Sequence, residues 1–204
     1  MTQVAHRFSM ARTMQQAPIH PLATAPRRPA GFSLVELLAG TTVAAVLSAL
    51  AIPAMTGMLV AQQTTSLVNA LVASIHFTRG EAIKRNGRAV LCKSADGQTC
   101  SASGGWEQGW IVFHDRDNNA VPLAGEPVLL RQGPSPGLRL SGNMPVARYV
   151  SYSATGSAKL MSGAFQAGTF TLCPVSGPPT LARLIILSPT GRPRIYKATA
   201  ADCT

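Results

Sequence analysis

Charge is scarce in this sequence: only 13% of its 204 residues are Asp, Glu, Lys or Arg, against roughly 25% in an ordinary soluble domain. Acids are scarcest, eight against 18 Lys and Arg, which leaves a formal net charge of +10. No acid occurs in residues 1–31 and none in 127–201. An apolar share of 46% excludes a disordered basic tail. Low charge with a positive balance points to a membrane-tethered protein, or one with an anionic partner, rather than to a cytosolic enzyme. Catalytic groups are sparse as well. His6 and His20 lie in the first 31 residues, leaving His76 and His114, and no nucleophile stands in a Gly-x-Ser-x-Gly setting. The sequence therefore predicts no enzyme, no cofactor and no metal, and it shows no internal repeat.

What is present is ordered along the chain. Residues 1–31 read as a targeting segment, with Arg7, Arg12, Arg27 and Arg28 as its charges. Residues 32–60 follow with a single charge, Glu36, and exceed the about 20 apolar residues needed to cross a hydrocarbon layer. Arginines before the run and none within it predict a single pass with a cytoplasmic N-terminus. A secretory signal places its cleavage site after the apolar region; here the small residue Gly31 comes first, so cleavage there leaves the apolar segment on the mature protein. Residues 61–87 continue as an amphipathic half-helix, with Leu67, Val68, Leu71, Val72, Ile75, Ala82 and Ile83 near helical spacing. Lys84 and Arg85 form a basic last turn, Asn86-Gly87 a stop signal, and Pro53 predicts a kink.

Residues 88–204 change texture to short apolar runs separated by Gly, Pro, Ser and Asn. Strands are expected at 89–92, 110–113, 128–131, 138–140, 149–152, 169–173, 184–187 and 194–197, which argues for antiparallel sheet rather than βαβ units. The fold class is α+β, a long helix packed on an antiparallel β-rich domain. Asp115-Arg116-Asp117-Asn118-Asn119 has the composition of a calcium loop, but Ala120 stands where glycine is required, and a solvated hairpin turn is expected instead. Cys92, Cys100, Cys173 and Cys203 all follow the membrane segment, with none of the close Cys-x-x-Cys spacing of zinc sites. In an oxidising compartment they form disulfides. Three connectivities are open; Cys92 with Cys100 and Cys173 with Cys203 is favoured, because each closes a local excursion and the second ties down the tail. Trp106 and Trp110 offer a base-stacking platform or a core, with core expected for at least one.

The stretch Pro29-Ala30-Gly31-Phe32-Ser33-Leu34-Val35-Glu36-Leu37-Leu38 resembles the type III signal of type IV pilins and type II secretion pseudopilins. The acid stands fifth and Pro53 twenty-second when Phe32 is counted first. The resemblance implies cutting after Gly31 by a prepilin peptidase, methylation of the new N-terminal Phe32, and filament assembly through Glu36 and Pro53. A carboxylate in a membrane helix costs on the order of 2.5–3.5 kcal/mol at its centre and less near an interface. The free amine of a neighbour's Phe32 offsets that cost in a filament; otherwise Glu36 simply reaches the headgroups. The segments 79–85, 105–113, 168–173 and 188–194 are similar to the GspH/FimT branch of minor pilins and pseudopilins. That branch implies a bent helix on a β domain, an inner-membrane anchor, a periplasmic domain, and other pilins or pseudopilins as filament partners.

Charge distribution adds a second expectation. Residues 81–126 hold six acids and five bases, whereas 127–201 hold Arg131, Arg139, Arg148, Lys159, Arg183, Arg192, Arg194 and Lys197 without one acid. Gly191-Arg192-Pro193-Arg194 reads as a rigid, exposed turn, and arginine's planar fork suits phosphate. It resembles the DNA-binding element of FimT-type minor pilins that act in natural transformation. That implies contact with double-stranded DNA through Arg192 and Arg194, with Lys197 and Arg183 as neighbours. Independently of the resemblance, Tyr196 sits between Arg194 and Lys197 and is the better aromatic candidate for contacting a polyanion. The alternative is a turn whose arginines aid solubility or meet adjacent pilins, in a structural or initiating subunit of a pilus or type II secretion system.

Overall fold

The computed structural model describes residues 31–203. The expected leader, Gly31 excepted, lies outside the described residues, as does the side chain of Pro53. The described residues fall into two units, 31–44 and 45–203.

One helix, α1, runs Leu34–Lys84. Its stretch Leu34–Ala49 is apolar, and the side chains there are exposed. Its end is set by local chemistry. Asn86 takes φ +48, its N–H donates to the Ile83 carbonyl at 3.2 Å, and the Gly87 N–H reaches back to Ala82 O at 3.1 Å. These two bonds make a Schellman cap, the physical content of the Asn-Gly stop. Eight strands follow: β1 (Arg88–Lys93), β2 (Trp110–Asp115), β3 (Val128–Gln132), β4 (Leu138–Gly142), β5 (Tyr149–Tyr152), β6 (Gly168–Pro174), β7 (Arg183–Leu187) and β8 (Pro193–Lys197). They form two four-stranded sheets, ordered β3-β2-β1-β5 and β4-β6-β7-β8, and every pairing is antiparallel.

The second half of α1 buries one stripe, Leu67, Leu71, Ile75, Thr78 and Ala82, at the three- and four-residue intervals of an amphipathic helix. Ile83 falls off that stripe and is 51% exposed. Two buried polar side chains, Thr78 in the stripe and Ser74 beside it, are satisfied within the helix: Ser74 Oγ donates to Ala70 O at 2.8 Å and Thr78 Oγ1 to Ser74 O at 2.6 Å. The stripe meets residues of both sheets in one core that includes Trp106, Trp110, Tyr152, Phe170 and Ile185. Trp110 Nε1 donates to Ser74 Oγ at 2.9 Å, tying β2 to the helix. A smaller cluster of Val90, Cys92, Ile111 and Phe113 lies apart from it.

Both cysteine pairs are the ones favoured on loop closure, Cys92 with Cys100 and Cys173 with Cys203. The second holds the C-terminal turn Ala200–Cys203 beside Ala182, Leu184 and Ala198, and Arg139 Nη2 donates to the Cys203 carbonyl at 2.6 Å. Changing Cys173 and Cys203 together to serine is expected to lower stability by about 3 kcal/mol, read as a shifted urea midpoint of the full chain in non-ionic detergent.

The loop after β1 is organised by Asp96. Its carboxylate accepts the Thr99 hydroxyl at 2.6 Å and the Thr99 and Gln98 N–H groups at 2.8 Å each. The Thr99 hydroxyl first, then these N–H groups, hold the carboxyl well below its usual range. A depressed carboxyl contributes stability that is present above its unfolded value, about pH 4, and is lost as pH falls through the folded one. Asp96→Asn is therefore expected to flatten the acid limb of thermal stability measured from neutral pH downward.

Candidate functional site

The first candidate region lies in the unit that contains the start of α1. Gly31 and Phe32 precede the helix and are exposed. The Glu36 N–H donates to Ser33 Oγ at 3.3 Å, and the Leu37 N–H to Ser33 O at 3.1 Å. Ser33 is thus the N-cap and Glu36 the third helical residue, the Ser-x-x-Glu spacing of a capping box. That signal was readable in the sequence and is absent from the expectations above. The Glu36 carboxylate also lies in the first turn, where the helix dipole favours an anion. Among the described residues it has no ion-pair partner.

The second region is the β7–β8 hairpin. The Gly191 N–H donates to Ser188 O at 2.8 Å, and the Ser188 N–H to Arg192 O at 3.1 Å. The Arg192 N–H in turn donates to Ser188 Oγ at 3.2 Å. Gly191 takes φ +75, a region that costs other residues roughly 1–2 kcal/mol. Its carbonyl accepts the buried Tyr152 hydroxyl at 2.6 Å, and a Cβ there would lie 2.5 Å from Tyr152 Cε1. Pro193 opens an edge strand opposite Leu187, a place where proline is tolerated in sheets. The turn is therefore held from the backbone inward, while the Arg192 and Arg194 side chains are exposed.

Register separates the four basic candidates. Arg194 stands opposite Ile186 and Tyr196 opposite Leu184, whereas Lys197 stands opposite Arg183. Because successive side chains alternate between faces, Lys197 lies on the face opposite Arg194. Arg183 also spends one guanidinium nitrogen on the carbonyls of Thr180 and Ala182, at 3.0 and 2.8 Å. The structure thus groups Arg192, Arg194 and Tyr196 near one another and sets Lys197 and Arg183 apart. Among the described residues only Lys84 and Arg85 have a carboxylate partner, Glu81. None of the eight basic residues of 127–201 has a carboxylate partner among the described residues.

Other candidates resolve differently. Trp106 and Trp110 are both fully buried, so neither serves as a stacking platform, while Tyr196 is 46% exposed. His76 is exposed on the helix. His114 lines a recess beside Arg88 and Arg116. Carboxylate oxygens of Asp115, Asp117 and Glu126 come within 4.8 Å of one another. They organise the loop: Asp115 accepts the N–H groups of Asn119 and Ala120, and Glu126 those of Arg116 and Leu123. Burial, the largest influence, raises the Asp115 carboxyl.

The family described as type II transport protein GspH matches residues 67–191. No curated protein matches the chain. Among solved structures, the type IV minor pilin FimU of Pseudomonas aeruginosa aligns at 16% identity over 69% of this chain and 91% of its own, with a TM-score of 0.47. The minor pseudopilin EpsH of the Vibrio cholerae type 2 secretion system aligns at 10% identity over 66% of this chain and 97% of its own, with a TM-score of 0.45. The family match spans well over half of the chain, from the buried stripe of α1 to the glycine of the β7–β8 turn, and on it the chain belongs to the GspH family of minor pilins and pseudopilins.

Proposed function

We propose that this protein is a membrane-anchored minor pilin of a type IV pilus that captures DNA through its β7–β8 hairpin. The prepilin peptidase cuts after Gly31 and Phe32 is N-methylated. Residues 32–60 stay in the inner membrane until assembly, and Glu36 and Pro53 serve packing in the filament with other pilins. The domain after the anchor faces the periplasm, which suits its two disulfides.

One observation carries the DNA assignment: Arg192 and Arg194 are exposed on a hairpin whose backbone is already fixed, with no carboxylate among the described residues paired to them. Preorganised arginine forks bind phosphate without paying to order the turn. Phosphate contacts do not read sequence, so the ligand is duplex DNA of any sequence. The full chain in non-ionic detergent is expected to retard a linear duplex in a gel at low salt. The Arg192→Gln/Arg194→Gln double variant is expected to lose most of that shift. Equal shifts for the two proteins would remove the DNA assignment and leave the hairpin as a contact to adjacent pilins, the role of a structural or initiating subunit in a pilus or type II secretion system.

A further inference from the structure

We infer that the outer face of the second sheet beside this hairpin is a stacking platform for unpaired bases, with Tyr196 as its ring and single-stranded DNA as its ligand; this rests on the DNA reading above. Ile185 and Leu187 of β7 are buried in the core, so Leu184 and Ile186, and opposite them Tyr196 and Arg194, lie on the other face; there Leu184 packs beside Cys173, Ala182 and Ala198, while Ile186 is open. Tyr196 is 46% exposed and Ile186 38% exposed. Thr169 of β6 pairs with Ile186 and completes a shallow concave surface that also includes Ser188, Arg194 and Tyr196. No Asp or Glu occurs in any of the four strands of this sheet, and among the described residues β8 is its edge strand.

Arg194 and Tyr196 are two residues apart on one face, about 6.5 Å along the strand. One nucleotide can place its phosphate on the arginine and its base on the ring. Aromatic rings stack on any base because every base has a π face. In a duplex those faces are occupied by neighbouring pairs, so the ring adds to binding only where bases are unpaired. Arg192 and Arg194 serve both forms; Tyr196 serves one.

The test is fluorescence anisotropy of the full chain in non-ionic detergent with a labelled oligothymidine and a labelled mixed-sequence duplex of equal length at low salt. The oligothymidine is expected to bind more tightly than the duplex. Tyr196→Ala is expected to weaken oligothymidine binding by roughly 5- to 150-fold, the worth of stacking one base, and to leave the duplex unchanged. Tyr196→Phe is expected to keep both affinities, since the ring and not the hydroxyl stacks. An oligothymidine affinity unchanged in Tyr196→Ala, or a loss shared equally by the duplex, overturns the platform. If duplex binding still depends on Arg192 and Arg194 in that case, the DNA reading stands without it. Wild-type protein that binds neither probe overturns both.

Discussion

Trp106→Ala is expected to be the most damaging single substitution in the domain. The indole is fully buried, packs edge-on against Phe170 at 5.2 Å between centroids, and lies 6.5 Å from Trp110. Its Nε1 donates to Val146 O at 3.1 Å. Removing a buried aromatic costs about 3–5 kcal/mol through lost transfer energy and the cavity left behind. The stranded Val146 carbonyl adds about 1–3 kcal/mol unless water reaches it. Domains are stable by only about 5–15 kcal/mol, so the variant is expected to lose its cooperative near-ultraviolet thermal transition or show it far below wild type. Trp106→Phe keeps most of the volume and forfeits the hydrogen bond, and it separates the two contributions.

Gly191→Val links stability to the proposed function. Valine at φ +75 pays roughly 1–2 kcal/mol for a left-handed backbone. Its Cβ would stand 2.5 Å from Tyr152 Cε1 and 3.2 Å from the Ala158 Cβ. Overpacking of this kind costs about 1–3 kcal/mol, and the cheapest relief is for the hairpin to lift off Tyr152. Loss of duplex binding comparable to that of the double arginine variant is expected, although both arginines remain. Gly191→Ala carries the same Cβ without the branch and is expected to fall between.

Elements specified by neighbours in sequence were legible before the fold was known. Short apolar runs bounded by Gly, Pro and Asn mark all eight strands to within two residues at each end, and Asn86-Gly87 marks the end of α1. The cysteine pairs were legible because each spans one local excursion. The partition into two sheets was not: β5 returns to pair with β1, while β4 leaves for β6, and such non-local choices depend on packing rather than on composition. The same limit applied at the site. Gly191 and Pro193 announce a turn, but the hydroxyl that holds it belongs to Tyr152, 39 residues away. Lys197 and Arg194 look adjacent in a list of basic residues, and strand alternation places them on opposite faces. The Ser33 cap is local, and the Ser-x-x-Glu spacing of Ser33 and Glu36 carries it.

The central claim, that Arg192 and Arg194 meet phosphates, is tested most directly by the salt dependence of duplex affinity. Each phosphate neutralised contributes about 0.9 to the negative slope of log affinity against log salt. The double glutamine variant is expected to reduce the wild-type slope by about 1.8, two contacts at that increment, while its thermal transition stays in place. A variant with the wild-type slope and affinity would contradict the account.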